Sequence, residues 1–245
     1  MSLRILFSTT ALILRQLRHD RRTIAIMMGV PIILLTLLHY ILEDNELLFD
    51  GISLLMLGIF PFTIMFLVTS IAMLRERTSG TLERLFTTPV GKLDLLFGYG
   101  FAFGMAAAAQ ASLVTAIAYW FLDLDTLGSP ALVVMIAVIN ALLGVALGLF
   151  FSAFARTEFQ AVQFLPLVVF PQFLLCGLFV PREQMASWLN TISDFLPLTY
   201  AVEALQEVGM HADPTATMWH DIWILVGVIL AALILGAVTL RRRTP

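Results

Sequence analysis

The side chains able to do chemistry in this chain are few and widely spaced. Four histidines stand at 19, 39, 211 and 220, with one lysine, Lys92, and one cysteine, Cys176. His211 and His220 come nearest to a pair, but the interval between them, which contains Pro214, is not a metal-ligand spacing. A membrane-embedded enzyme needs His, Asp, Glu or Ser gathered at one depth. Ser53, Ser70, Ser112 and Ser152 are instead scattered along the chain. A phosphate-binding loop needs the pattern G-x-x-x-x-G-K-[ST], so that backbone N–H groups, a lysine and a hydroxyl converge on phosphate and Mg²⁺. Lys92 follows Gly91, but Leu93 comes next, and Phe86 occupies the upstream glycine position. No catalytic residue, metal site or bound cofactor is therefore expected of this chain. A lone cysteine rules out an internal disulfide, and Cys176 reads as a small apolar packing residue.

Charge is concentrated in one stretch. LRERTSGTLERLFTTPVGKLD, residues 74–94, holds four of the fourteen basic residues and separates two long apolar runs. After Arg75, the residues TSG supply caps, and Leu82, Leu85 and Phe86 fall at i, i+3 and i+4 while Glu83 and Arg84 face elsewhere. Pro89 disfavours helix at Thr88. The spacing predicts a two-turn amphipathic helix over 79–88. So short a helix is marginal alone, and its apolar face needs something to dock on it.

The elements around that stretch are set by the solvent. The chain has 245 residues, 60% hydrophobic and 13% charged, with a mean hydropathy of +0.94. Soluble domains carry about 25% charged residues, so this chain lacks the polar surface to cover a water-soluble globule. It is an all-α integral membrane protein by this reading, since a helix needs about 20 apolar residues to cross the hydrocarbon core. Six spans are expected at 23–42, 51–74, 95–122, 128–155, 159–181 and 219–240, within one transmembrane domain over 1–245. The runs do not alternate as strands of a membrane barrel would.

Six spans put both ends on one side. Thirteen of the fourteen Lys and Arg residues fall on that side, and only Arg182 falls opposite. By the positive-inside rule both termini are cytoplasmic. No Asp, Glu, Lys or Arg lies mid-span, which argues against a proton relay or ion-coupled carrier. His39, Gln110, Asn140, Gln163 and Gln172 are the polar residues within spans, each expected to make an interhelical hydrogen bond. The pairs Gly100/Gly104 and Gly144/Gly148 permit close helix packing.

Two further elements are too short or too interrupted to span. Residues 3–20 combine an apolar pattern with flanking arginines, as suits a helix in the cytoplasmic interface. On the outer side, 183–209 reads as two short helices. Met185, Trp188, Leu189 and Ile192 share one face of the first. The second starts at Pro197 and runs through Leu198, Val202, Leu205 and Val208 to Gly209. They are expected to dip into the outer leaflet or cap an outer mouth.

Three segments carry a resemblance to the permease subunits of ABC type-2 exporters, the group that includes drug-resistance and antibiotic-export permeases. They are RHDRRTIAIMMGVPIILL (18–35), RERTSGTLERLFTTPVGKLDLLFGY (75–99), and LPLVVFPQFLLCGLFVPREQM with LNTISDFLPLTYAVEAL (from 165 to 205). The resemblance covers nearly the whole chain. The resemblance implies a half-transporter in a bacterial plasma (inner) membrane. Two permeases, here as a homodimer, form the pathway, and two ABC ATPase subunits bind ATP and Mg on their own chains. It makes 79–88 the coupling helix, with Leu82, Glu83, Arg84, Leu85 and Phe86 meeting the ATPase, and 183–209 re-entrant helices. It sets the second and fifth spans across the dimer axis, where Phe60, Met65, Phe66, Phe164, Phe170, Gln172 and Phe173 would border the pathway. Trp188, Leu189, Phe195 and Leu198 would form an outer gate, buried against the spans or in the outer leaflet. The expected cargo is a hydrophobic or amphipathic small molecule moved by alternating access, amid membrane lipid. The alternative is a polysaccharide or teichoic-acid-type glycan. No nucleic acid is expected among the partners.

Overall fold

The computed structural model describes residues 3–79 and 92–239, and all regular structure among them is helical. In chain order, α1 is Leu3–His19, α2 Arg21–Ile41, α3 Glu46–Thr78, α4 Lys92–Phe121, α5 Pro130–Ser152 and α6 Glu158–Phe164. A π-helical turn, Leu165–Val169, joins α6 to α7, Phe170–Leu175. A 3₁₀ turn at Arg182–Gln184 precedes α8, Ser187–Ser193, then α9, Pro197–Met210, and α10, Ala216–Thr239. Six stretches are long and apolar enough to cross a membrane: α2, α3, Leu96–Phe121 of α4, α5, Glu158–Leu175 and α10.

Local chemistry sets the helix ends. The Asp20 carboxylate separates α1 from α2, accepting the Thr23 N–H at 3.1 Å and the Thr23 hydroxyl at 2.6 Å. The hydroxyl bond, followed by the backbone bond, holds the Asp20 carboxyl below its ordinary range, so it stays ionised. Asn45 caps α3, Ser129 caps α5 ahead of Pro130, and Thr157 caps α6 through the Gln160 N–H. At 33 residues, α3 extends past the expected 51–74 at both ends. Its length of about 50 Å exceeds the ~30 Å hydrocarbon core, so its last turns project beyond it.

The bundle is organised around α3 and α5, which share the most extensive interface. Gly144 and Gly148 make it possible. A Cβ on Gly144 would collide with the Phe62 carbonyl, and one on Gly148 with the Phe66 carbonyl. Here backbone packs on backbone, and any side chain would force the helices apart. Gly100 and Gly104 face only leucine side chains and carry no such approach. Across the same seam Asn140 Nδ2 donates to the Gly58 carbonyl at 2.6 Å, while Gln110 Nε2 of α4 reaches the Met27 carbonyl of α2 at 2.8 Å. His39 instead packs edge-on against Phe49, and Gln163 is exposed.

The fifth spanning stretch departs from expectation. Helix ends at Leu175 rather than 181, and it is broken in the middle. Pro166 has no N–H and crowds the preceding turn, and the π turn absorbs the defect, with the Phe170 N–H bonding back to the Leu165 carbonyl. Gly177, at φ +94°, then turns the chain away. The first outer helix is also shorter than its periodicity implied. Met185 is extended, and α8 begins only at Ser187.

Candidate functional site

Three regions were singled out by sequence: the charged inner segment, the faces of the second and fifth spans, and the outer helices. Leu82, Glu83, Arg84, Leu85 and Phe86 lie outside the described residues. Their mooring is described. The Ser79 N–H closes the end of α3 on the Arg75 carbonyl at 2.9 Å. Arg75 reaches across to Glu158 in a two-point ion pair, Nε to Oε1 at 2.7 Å and Nη2 to Oε2 at 3.1 Å. Arg77 donates to the Ser152 carbonyl at the end of α5. Two arginines of the stretch thus tie the C-terminal end of α3 to the end of α5 and the start of α6. Glu158 sits in the first turn of α6, where its charge also suits the helix dipole.

The pathway candidates do not form one lining. Phe66 is fully buried and stands in a ring chain with Phe151 and Phe164, with centroids 6.0 and 5.7 Å apart. Phe173 packs against the same cluster and on Phe179 at 5.4 Å. Met65 points the other way, into the cluster shared with α4, and Phe60 lies against the outer-half cluster. Met65 and Phe66 therefore offer no surface in this arrangement, contrary to the expectation. Neighbours of the same chain enclose both. Phe170 is exposed. Gln172 is buried and works as a latch. Its Nε2 donates to the Val168 carbonyl at 3.0 Å, and its Oε1 accepts the Leu198 N–H at 3.2 Å, fastening α7 to the first turn of α9.

The outer helices divide by burial. Leu198, Ala201, Val202, Leu205 and Val208 of α9 are buried, and α9 packs on α10, α3 and α5. It reaches the depth of Gly58, where an added Cβ would meet Leu205 at 2.8 Å. Trp188 and Phe195 are 63% and 83% exposed, so within this chain they are not buried against the spans, and Leu189 is half-buried. Trp188 lies on α8, which is only seven residues long, and Phe195 lies in the turn that follows it.

One residue missed by sequence reasoning holds this region together. Arg182, counted there only as the lone outer cation, donates to Ser193 Oγ at 3.0 Å, Asn190 Oδ1 at 3.1 Å, Glu203 Oε2 at 2.9 Å and the Asp194 carboxylate. A single fork joins the segment after α7 to both α8 and α9. Burial, with the Asp194 carboxylate next, raises the Tyr200 phenol, so it stays protonated and donates to the Asp194 carbonyl at 2.7 Å. The signal available in the sequence was a solitary Arg in an acidic segment. A second omission is Asp221 in the second turn of α10, a buried carboxylate whose Oδ1 lies 3.3 Å from His220 Nδ1. Among the described residues no group of His, Cys, Asp and Glu is placed to hold a metal ion.

Comparison with known proteins agrees with this architecture. Residues 4–209 match the ABC-2 type transporter family. The chain is 27% identical over 197 residues to ABC transporter G family member 20 of Dictyostelium discoideum, covering 78% of this chain and 26% of that protein. It is 29% identical over 160 residues to the probable multidrug ABC transporter permease YbhR of Escherichia coli, covering 65% and 44%. It is 26% identical over 152 residues to the linearmycin resistance permease protein LnrN of Bacillus subtilis, covering 60% and 39%. The matched region is less than half of each of these relatives. With six membrane-capable stretches and a family match across most of its length, the chain is a multi-pass membrane protein and belongs to the ABC-2 type transporter family.

Proposed function

We propose that this chain is the membrane-spanning half of an ATP-driven exporter of hydrophobic or amphipathic small molecules. It works by alternating access in a bacterial inner membrane, with both termini in the cytoplasm. The observation that carries the reading is the family match over 4–209, together with relatives named for multidrug transport and linearmycin resistance. Those names favour a drug-like cargo over a glycan. The arrangement of the described residues suits the role. Arginines cluster at the end that carries the 79–91 segment, and the fifth spanning stretch leaves an aromatic face uncovered, as a second permease copy would require. In this reading 79–88 docks on a separate ABC ATPase, which holds ATP and Mg. Residues 183–209 narrow the outer exit as a re-entrant pair, with Leu198 and Leu189 inward and Trp188 and Phe195 toward lipid or the second copy. Phe60, Phe164, Phe170 and Phe173 border the pathway once the spans rock apart.

Apolar anchors in a desolvated groove are each worth about 2 kcal/mol or more, against ~0–1 for an exposed ion pair. Replacing Leu82, Leu85 and Phe86 together with alanine should therefore abolish co-purification of the ATPase and drug-stimulated hydrolysis in lipid. Arg84→Ala should weaken both only slightly. Full co-purification and normal coupling in the triple variant would overturn the docking reading.

A further inference from the structure

The family reading assigns no role to a cavity among the described residues that lies away from the fifth spanning stretch. It has a volume of about 330 Å³, within the range of small-molecule sites, and lies between α1, α2, the inner end of α3 and the start of α4. Its walls combine polar and apolar side chains, with Asp20, Glu76 and Tyr99 at a polar part and Leu17, Val68 and Phe103 among the apolar lining. Along α3 the lining runs from Glu76 to Leu67, a rise of about 14 Å.

Among the described lining residues two carboxylates, Asp20 and Glu76, stand against one cation, Arg75. Arg75 lines the cavity, but its guanidinium is committed to Glu158 by the two-point ion pair. Asp20 is ionised, its oxygens held by Thr23. Glu76 lies beside the Tyr99 hydroxyl, and its Oε2 is shielded from solvent and without a hydrogen-bond partner. A carboxylate oxygen withdrawn from water with no donor is costly, and a ligand bringing an N–H donor or a positive charge would relieve that cost. Arg15, Arg18, Arg21 and Arg22 are close in sequence but are not part of the lining.

We propose that this cavity binds an amphiphile with a cationic amine head, the head against Glu76 and Asp20 and the apolar tail along Leu17, Val68 and Phe103. The site is separate from the face shared by the second and fifth spans. It stands without the exporter reading, which is needed only for the consequence that the bound molecule is cargo taken from the inner leaflet. An anionic lipid headgroup is the wrong charge for it, because among the described lining residues the carboxylates outnumber the cations and Arg75 already faces Glu158 and Asp20.

The test uses the full chain in phosphatidylcholine nanodiscs without ATPase or nucleotide, so that binding is read separately from transport. The probes are a dansyl-labelled dodecylamine, its N-acetylated neutral form, and the matching dodecanoate. A hydrogen bond to a charged group is worth about 1.5–3 kcal/mol, so the amine should bind roughly tenfold or more tightly than the neutral form. Glu76→Gln should remove that preference, and Ala72→Phe, which fills the cavity, should weaken amine and neutral probe alike. Equal affinity of Glu76→Gln and the unaltered chain for the amine would overturn the proposal, as would a preference for the carboxylate. If Glu76→Gln does not fold, a diazirine-bearing dodecylamine on the unaltered chain decides. Labelling of α1 and the inner end of α3 supports the site, and labelling confined to other helices refutes it. Loss of transport in cells with amine binding intact would reject the exporter reading and leave the site standing.

Discussion

The α3–α5 pair and the fifth spanning stretch are made of similar residues and end up in opposite conditions. Each of α3 and α5 hides 61% of its spanning window within the chain, and Glu158–Leu175 hides 17%. Apolar content does not explain the contrast, because lipid tails solvate leucine as well as another helix does. Close approach explains it. Gly144 and Gly148 let two backbones touch, and Asn140 adds a hydrogen bond across the seam. The fifth stretch has no glycine before Gly177. It carries Phe159, Leu167, Phe170 and Leu174 on its exposed side, and its prolines disrupt the regular ridges that another helix could mesh with. Besides Phe164, Val169 and Phe173 in the aromatic cluster, what attaches it is a few polar contacts: the Gln172 latch, the Arg182 fork beyond its end, and the Arg75–Glu158 pair at its start. One region is built to stay closed, the other to be held at a few points.

The contrast can be broken at its strongest point. Gly144→Val places a Cβ against the Phe62 carbonyl with backbone on both sides, so neither helix can yield cheaply. A loss of about 3 kcal/mol is expected, at the upper end for overpacking. Thermal unfolding followed by fluorescence-detected size exclusion should show a large drop or no monodisperse protein. A change of only a few degrees would mean that the seam is looser than its geometry. The next effect is smaller and confined to the outer end. Arg182→Ala removes the fork and leaves Glu203 and Asp194 uncompensated, at about 2 kcal/mol, the scale of hydrogen bonds to charged groups. Proteolysis should open the 176–196 region before the rest of the bundle. Uniform destabilisation of all helices would contradict the picture of a locally held stretch. The smallest effect is expected at the inner end, where Arg75 and Glu158 are 58% and 52% exposed and their pair contributes only ~0–1 kcal/mol. Arg75→Gln should barely move the melting temperature in moderate salt. A shift as large as that of Arg182→Ala would show that this pair is a structural clamp.

The legible parts of the molecule share a cause. The number of spans could be read directly because crossing lipid demands about 20 apolar residues per helix whatever the neighbours do. The break between α1 and α2 was visible because arginines interrupt the apolar pattern there, although the Asp20–Thr23 cap that makes it was not read from the sequence. The face of α9 was visible from the spacing of Leu198, Val202, Leu205 and Val208. Phe66 was not, because a phenylalanine in a span has the same pattern whether it meets lipid, cargo or another helix. Only packing against Gly148 and Phe151 removed it from the candidate surface. Arg182 was misjudged for a related reason. Its four acceptors come from α8, α9 and the turn between them, and sequence distance hides that convergence.

Residue composition and run length were thus enough for the solvent, the helical class and the six crossings, because each depends on backbone hydrogen bonds satisfied within one segment. The segregation of charge was likewise a matter of counting along the chain. Which helices would touch, where the fifth crossing would bend and end, and which aromatic residues would be spent on internal packing were decided by tertiary structure. Those outcomes depend on distances between segments far apart in sequence: a carbonyl of α3 against a glycine of α5, or an amide of α9 within reach of Gln172. Among chains of uniformly apolar helices no solvent preference ranks such contacts, so shape and a few buried polar groups choose between them.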